Sequence, residues 1–145
     1  MSHAYSRNYV HVVFSTKERR DWIRDPRAVW SLIADSVRSY GAELIEVGGT
    51  ENHVHVLIQV PPKISVVTLV GAMKRTSSKL INETGHLFAW QQGYGCFSVS
   101  ASSLEKVRTY IRHQEEQHKK HSFEDEYKAL LTKHGITFSE ERVLG

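Results

Sequence analysis

The sequence predicts an α+β fold of the ferredoxin-like (RRM-like) type. A β-α-β-β-α-β sheet is followed by an added C-terminal helix that carries a tyrosine. Four short runs rich in β-branched and aromatic residues alternate with segments whose apolar residues recur every three or four positions. Glycines and prolines lie where these runs end, as is typical of strand and helix boundaries. The 145 residues suffice for one domain with a core but not for two. We therefore expect a single domain over 1–145, with a core at about 8–120 and a C-terminal extension at 121–145.

The first half of the chain supplies three predicted strands and one helix. The helix should begin at Asp25 and Pro26, because Asp is a good N-cap and Pro is favoured at the first helical position. Gly41 should end that helix. Two prolines follow the third strand, and proline cannot continue a central strand. The predicted strands cover 9–15, 43–47 and 53–60, and two glycines close the second of them.

The second half supplies the remaining strand and the other helices. Ser65 can cap a helix that Gly85 closes. Ser102 and Glu105 have the spacing of a capping box, which predicts a helix from about 103 to 118. A polar break then precedes a last short helix. The predicted fourth strand covers 96–100, and the last helix lies near 123–133.

Composition excludes several classes of protein. The net charge of +3 favours an anionic partner only weakly. Cys96 is the only cysteine, which excludes an intrachain disulfide and a cysteine-based zinc site and suggests a reducing compartment. The N-terminus lacks the apolar core of a signal peptide, and no apolar run approaches the length of a membrane span. We expect a cytoplasmic protein with no membrane association.

Two histidines in the third predicted strand are candidate metal ligands. His53 and His55 are two residues apart, so they share one face of the strand, opposite the apolar Val54 and Val56. Two imidazoles so placed can hold one divalent ion if a third ligand approaches. Alternatively, they are polar residues on a solvated face. His11, in the neighbouring first strand, would either orient a ligand or serve as a hydrogen-bonded structural residue.

The helix predicted near 103–118 carries a second set of functional groups. Tyr110 and Gln114 are one turn apart, about 40° around the helix axis, and flank its apolar stripe. The amide oxygen of Gln is a neutral, hard ligand. Together with two histidines it would make three protein ligands and leave positions open for water or substrate. Alternatively, Tyr110 lies at the edge of the core and Gln114 on the surface.

This ordered set of residues resembles the single-tyrosine HUH transposases and their REP-associated tyrosine transposase relatives. The former are small insertion-sequence enzymes that act on single-stranded DNA. The resemblance rests on His53-Val54-His55 and on Tyr110-Ile111-Arg112-His113-Gln114. Further segments similar to the family lie at 9–17, 61–74 and 90–100, so the likeness spans roughly residues 8–120.

The resemblance implies a complete reaction scheme. His53, His55 and Gln114 would bind Mg²⁺ or Mn²⁺, and Tyr110 would be the nucleophile. The expected protein is a DNA transposase that cuts single-stranded DNA at hairpin-flanked ends, forming a 5′-phosphotyrosine intermediate and a free 3′-hydroxyl. Many family members are homodimers in which the tyrosine helix of one subunit completes the site of the other.

Clustered basic residues are candidate phosphate contacts. On their own, such clusters equally suit solvated surfaces. The candidates are Lys17, Arg19 and Arg20 in one cluster, and Lys74, Arg75 and Lys79 in the other.

Three alternative functions fit parts of the same sequence pattern. A domesticated relative would bind hairpin DNA without transposing, and the intact set of candidate catalytic residues argues against it. An RRM-type RNA binder would carry aromatic residues where His53 and His55 stand. A 2H-type phosphoesterase would need two His-x-Ser/Thr motifs, and the sequence has none.

Overall fold

A four-stranded antiparallel sheet forms the centre of the molecule. The computed structural model describes residues 5–83, 85 and 87–143. The sheet order is β2-β3-β1-β4, and every neighbouring pair is antiparallel. This order is that of a ferredoxin-like sheet, so the predicted fold class is confirmed. The strands are β1 (Tyr9–Ser15), β2 (Glu43–Gly49), β3 (His53–Gln59) and β4 (Gly95–Val99).

Helices α1 (Pro26–Ser39) and α2 (Val66–Glu83) cover one face of the sheet. Asp25 caps α1 as predicted, since its side chain accepts a hydrogen bond from the backbone N–H of Ala28. None of the helices in the described ranges combines the length and the apolar character needed to cross a bilayer. The buried core between sheet and helices includes Val12, Phe14, Val54, Val56, Ile58, Ile33 and Met73.

Three C-terminal helices lie on the other face of the sheet. They are α3 (Leu104–Arg112), α4 (Gln114–Gln117) and α5 (Phe123–Lys133). Short 3₁₀ helices at Lys17–Arg19 and Ala101–Ser103 precede α1 and α3. The last helix lies where the sequence predicts it. A second, smaller apolar cluster joins α5 to β1 and β4 through Val13, Phe97, Phe123, Tyr127 and Leu131.

The structure corrects one predicted helix. The segment expected to be continuous over 103–118 breaks at His113, whose backbone (φ −101°, ψ 28°) leaves the helical region. The imidazole Nδ1 of His113 lies 2.7 Å from the carbonyl oxygen of Thr109, the group to which its own backbone N–H would donate in a continuing helix. Gln114 therefore begins a new helix. The predicted capping box is also absent, because Ser103 is the N-cap of α3 and makes no capping bond with its side chain.

Glycine lets the third helix lie directly on the sheet. Strand β2 continues through Gly48 and Gly49, which the sequence suggested would end it, because both residues pair with β3. A Cβ atom at Gly48 would lie 2.4 Å from the carbonyl oxygen of Ile111 and 3.0 Å from its Cγ2. The close approach at Gly48 thus sets the position of α3 relative to β3.

We expect Gly48→Ala to destabilise the protein by about 1–3 kcal/mol, because the added methyl group must push α3 away from β2. Urea unfolding, followed by circular dichroism, measures the effect. Gly71→Ala is the matched control. A Cβ at Gly71 would lie 3.8 Å from Nη1 of Arg75, an ordinary van der Waals distance, and alanine in place of glycine in a helix should stabilise by about 0.4–1 kcal/mol. Equal stability of the Gly48→Ala variant and the wild type would contradict this account of the contact.

Candidate active site

The two histidines of β3 are buried beneath the C-terminal helices. His53 and His55 are both 0% exposed. They lie opposite Ser15 and Val13 of β1, on the sheet face that carries the second apolar cluster. The interpretation that they are polar residues on a solvated face is therefore wrong. Imidazoles buried in this way need polar partners for their ring nitrogens.

The ring of His53 is fixed from both ends. Its Nδ1 lies 2.8 Å from Asn52 Oδ1 and 3.0 Å from Thr50 Oγ1. Its Nε2 lies 2.9 Å from Gln114 Oε1. Burial, with a further contribution from His55, lowers the pKa of His53 from 6.5 to about 3. The ring is therefore neutral at ordinary pH, and with its hydrogen donated to Asn52 it keeps a lone pair on Nε2.

His55 links β1 to α5. Its Nε2 lies 3.1 Å from Glu126 Oε1 and, since a carboxylate only accepts, His55 is the donor. Its Nδ1 lies 2.8 Å from His11 Nε2, and the two rings stack with centroids 5.0 Å apart. His11 is itself buried, and this burial lowers its pKa. The structure thus places His11 beside His55, in position to orient it.

Glu126 on α5 accepts hydrogen bonds from four side chains of this cluster. The Tyr110 hydroxyl and Gln114 Nε2 both donate to its Oε2, the latter at 3.0 Å. His118 Nε2 donates to Oε1 at 3.0 Å, beside the donor from His55. Burial alone would raise the pKa of Glu126, but the hydrogen bonds from His118 and His55 outweigh it and hold that pKa well below its usual range. Glu126 is therefore a carboxylate.

Two residues of the cluster, Glu126 and His118, are not among those that the sequence motifs predict. A signal for Glu126 was available. It follows Phe123 by three residues and precedes Tyr127, so it lies on the stripe of α5 that faces the sheet. An acidic residue at a buried helical position needs a partner, which marks it as a candidate ligand. His118, just beyond α4, also belongs to the cluster, since its Nε2 lies 3.1 Å from Gln114 Oε1.

The Tyr110 ring packs against the histidine cluster of its own chain. Its ring centroid is 5.7 Å from that of His55 and 6.2 Å from that of His11, both in edge-on contact. Burial raises the pKa of Tyr110 well above its ordinary value, and the nearby charge of Glu126 raises it further. The phenol is therefore neutral and donates its hydrogen to Glu126.

The donor atoms of this cluster suit a divalent metal. One ligand atom each from His53, His55 and Glu126 lies within 4.8 Å of the others. Glu126 Oε1 is 3.1 Å from His55 Nε2 and 3.6 Å from His53 Nε2, and Gln114 Oε1 is 2.9 Å from His53 Nε2. Neighbouring ligands around an octahedral ion with bonds of about 2.1 Å lie about 3 Å apart. The lone pair on His53 Nε2 faces the Gln114 oxygen, which also carries lone pairs. A cation bound between these two atoms would stabilise that arrangement.

Comparison with known proteins assigns the chain to a family. The family described as IS200-like transposases matches residues 4–114. This chain belongs to that family. The matched range includes His53, His55, Tyr110 and Gln114 but ends before His118 and Glu126. The sequence-based recognition of a transposase is thereby confirmed.

Individual relatives agree with this assignment. The transposase of insertion sequence IS200 from Salmonella typhimurium is 31% identical, in an alignment covering 75% of this chain and 78% of that protein. The Salmonella typhi transposase of the same element matches equally well. A candidate transposase from Deinococcus radiodurans R1 has the same fold, with a TM-score of 0.64 and 21% identity over 79% of this chain and 95% of its own. A REP-associated tyrosine transposase bound to a REP hairpin also has this fold, with a TM-score of 0.63 and 13% identity over 81% of this chain and 73% of its own.

The first basic cluster of this IS200-like transposase lies near the candidate site. Lys17 and Arg19 belong to the 3₁₀ helix that follows β1, and Arg20 follows them. Arg19 forms an ion pair with Glu124 of α5 at 3.3 Å, and Arg20 pairs with Glu18 at 3.0 Å. The segment thus lies against the helix that carries Glu126.

The structure does not bring the second basic cluster to the histidines. Lys74, Arg75 and Lys79 belong to α2, which covers the opposite face of the sheet. The ammonium group of Lys74 donates to the carbonyl oxygens of Gln91 and Gly93 at 2.8 and 2.9 Å. Arg75 and Lys79 are exposed. Any DNA contact they make would lie on the far side of the molecule from Tyr110.

The free energy of unfolding should fall as the pH is lowered from about 6.5 to about 3. Across this window the unfolded chain takes up a proton at His53 that the folded protein resists, because burial lowers the folded-state pKa. Above pH 6.5 the stabilising contribution is fully present. Urea unfolding in EDTA at a series of pH values measures the slope.

The variant His53→Gln, which has no titrating group at this position, isolates the contribution. Its stability should depend less steeply on pH across the same window, since the other acidic and imidazole groups are unchanged. Parallel pH profiles for the wild type and the variant would show that burial does not depress the pKa of His53.

Proposed function

We propose that this IS200-like transposase is a metal-dependent endonuclease and strand transferase for single-stranded DNA, with Tyr110 as its nucleophile. The observation that carries the proposal is the convergence of the Tyr110 hydroxyl with His53, His55 and Gln114 on one buried carboxylate, Glu126. Attack on a phosphodiester requires a phenol placed next to donors that can hold a metal, and the phenol must lose its proton as it attacks. Hairpin binding without cleavage would use none of these buried groups.

The proposed step exchanges one phosphorus–oxygen bond for another. The phenolic oxygen of Tyr110 attacks the scissile phosphorus, and the bond from phosphorus to the 3′ oxygen breaks. The phenol loses its proton and the departing 3′ oxygen gains one, so a 5′-phosphotyrosine and a free 3′-hydroxyl result. Attack by a different 3′-hydroxyl reverses the exchange and joins a new strand, with no need for ATP.

His53, His55 and Gln114 would hold the metal, and Glu126 would add a fourth ligand atom. Bound there, a divalent ion neutralises the charge of the phosphate and so lowers the barrier to nucleophilic attack. Imidazole nitrogens suit first-row transition metals, whereas carboxylate and amide oxygens suit Mn²⁺ and Mg²⁺. Four protein ligand atoms would leave room for water or for phosphate oxygens. Glu126 also orients the Tyr110 hydroxyl, since it accepts that hydrogen.

We propose that the tyrosine acts on the site of its own chain. Within one chain the Tyr110 ring already contacts the rings of His55 and His11. A homodimer, which family members commonly form, would then juxtapose two complete sites rather than two shared ones. The single half-buried thiol, Cys96, fits a protein that works in the reducing cytoplasm.

We propose single-stranded DNA with hairpins as the substrate. A relative of the same fold has been solved with a REP hairpin. The basic segment Lys17–Arg19 and Arg20 would contact phosphates near the site, and Arg75 and Lys79 would reach the duplex part of a hairpin on the other face.

Tyr110→Phe should abolish the covalent protein–DNA adduct, because it removes the attacking oxygen. Labelled hairpin-bearing single strands, incubated with Mn²⁺ or with EDTA and separated on a denaturing gel, measure adduct formation. Tyr127→Phe is the matched control, since Tyr127 belongs to the apolar cluster under α5. An adduct that persists in Tyr110→Phe would exclude Tyr110 as nucleophile, and hairpin binding without any wild-type adduct would favour the binding-protein alternative.

Glu126→Gln should weaken Mn²⁺ binding by at least about tenfold, because it removes the negative charge among the proposed ligands. Electron paramagnetic resonance of free Mn²⁺ during a titration gives the affinity. Asp125→Asn is the control, as it makes the same change of charge one residue earlier, at an exposed position. Equal affinity of Glu126→Gln and the wild type would remove Glu126 from the ligand set.

A further inference from the structure

A groove of about 720 Å³ opens beside the Tyr110 hydroxyl, between β4, α3 and α5. Tyr110, His11 and Glu126 line its inner end, so it is continuous with the candidate metal cluster. Its volume lies within the range of about 300–1,000 Å³ in which small-molecule sites are found. Neither the family match nor the predicted DNA contacts assign this surface.

We propose that this groove binds the unpaired nucleotide of single-stranded DNA that adjoins the scissile phosphate. The inference rests on the proposed function, because it supplies the substrate position that attack by Tyr110 requires. When the scissile phosphate of a DNA strand contacts the Tyr110 oxygen, the nucleotide bonded to that phosphate must lie next to the hydroxyl. Tyr110 itself lines the groove.

The charges around the groove fit a nucleic-acid strand. Lys106 of α3 and Lys133 of α5 line it from two sides, and both are exposed. Glu126 is the one acidic residue among the lining residues, and its carboxylate is engaged by donors at the inner end. A phosphate lying along the groove would therefore meet two ammonium groups and no free carboxylate.

The walls of the groove suit a base. Val99, Val107 and Leu130 provide apolar surface along it. His134 stacks on Phe97 with ring centroids 4.5 Å apart and an interplanar angle of 26°. His134 Nδ1 lies 2.9 Å from the carbonyl oxygen of Leu130, which fixes the orientation of this exposed ring. Aromatic rings held in this way form the stacking surfaces of proteins that bind single strands.

Nuclear magnetic resonance titrations of the full chain test the proposal without requiring catalysis. Thymidine 5′-monophosphate and a thymidine tetranucleotide should shift the backbone amide signals of residues 97–100 and 129–134. Thymidine alone and inorganic phosphate alone should bind more weakly, since each offers half of the contacts. Shifts confined to other surfaces, or no shifts with the tetranucleotide, would overturn the proposal.

Matched variants connect the groove to binding. Lys106→Gln and Lys133→Gln should each weaken nucleotide binding roughly tenfold, as expected for loss of a charge-assisted hydrogen bond. Lys63→Gln, at an exposed position away from the groove, should leave it unchanged. Ala129→Phe should fill the groove and block binding, whereas Thr132→Phe, also exposed on α5 but outside the lining, should not. Unchanged binding in Ala129→Phe would overturn the assignment.

Two readouts separate this inference from the proposed function. If wild-type protein forms no phosphotyrosine adduct yet binds nucleotide in the groove, the proposed function fails and the groove site stands. If Ala129→Phe forms the adduct at the wild-type rate, the groove inference fails and the proposed function stands. If Ala129→Phe instead changes the oligomeric state measured by light scattering while nucleotide binding persists, the groove is an interface between copies and the proposal is overturned.

Discussion

The arrangement of the C-terminal half depends on the burial of two imidazoles on one strand. His53 and His55 lie under α3, α4 and α5, where water cannot serve their ring nitrogens. Each ring must therefore find protein partners, and Asn52 supplies one for His53 while Glu126 supplies one for His55. The carboxylate of Glu126 has the same requirement, which the donors from the helices and from β3 meet. The apolar packing of α5 and the polar cluster beneath it consequently form together or not at all.

This dependence explains why some features follow from sequence and others do not. The sheet is predictable because alternation in β1 and β3 assigns each side chain to a face, and that alternation also places His53 and His55 together. The break at His113 escapes such patterns, since it depends on one side chain taking a carbonyl oxygen of its own helix. The partners of Glu126 escape them too, because they depend on how α5 crosses a strand 71 residues earlier in the chain.

The extension beyond the family match thereby acquires a structural role. The match ends at Gln114, yet α5 supplies the carboxylate at the centre of the polar cluster and most of the apolar residues that hold the second layer on the sheet. The helix also reaches the basic segment after β1 through the pair between Arg19 and Glu124. Residues 121–133 thus pack on the sheet and share its polar cluster rather than forming a separate extension.

The unequal size of the two apolar clusters has a consequence for local unfolding. The cluster between the sheet and α1 and α2 is extensive, whereas the one beneath α5 is small and centred on Phe97, Phe123 and Tyr127. Because a smaller buried apolar area stabilises α5 than stabilises α1 and α2, the amide hydrogens of α5 exchange with solvent through partial openings that leave the sheet intact. Each opening removes Glu126 from its partners. Ligands that require Glu126 in place suppress these openings by mass action and so slow exchange along α5.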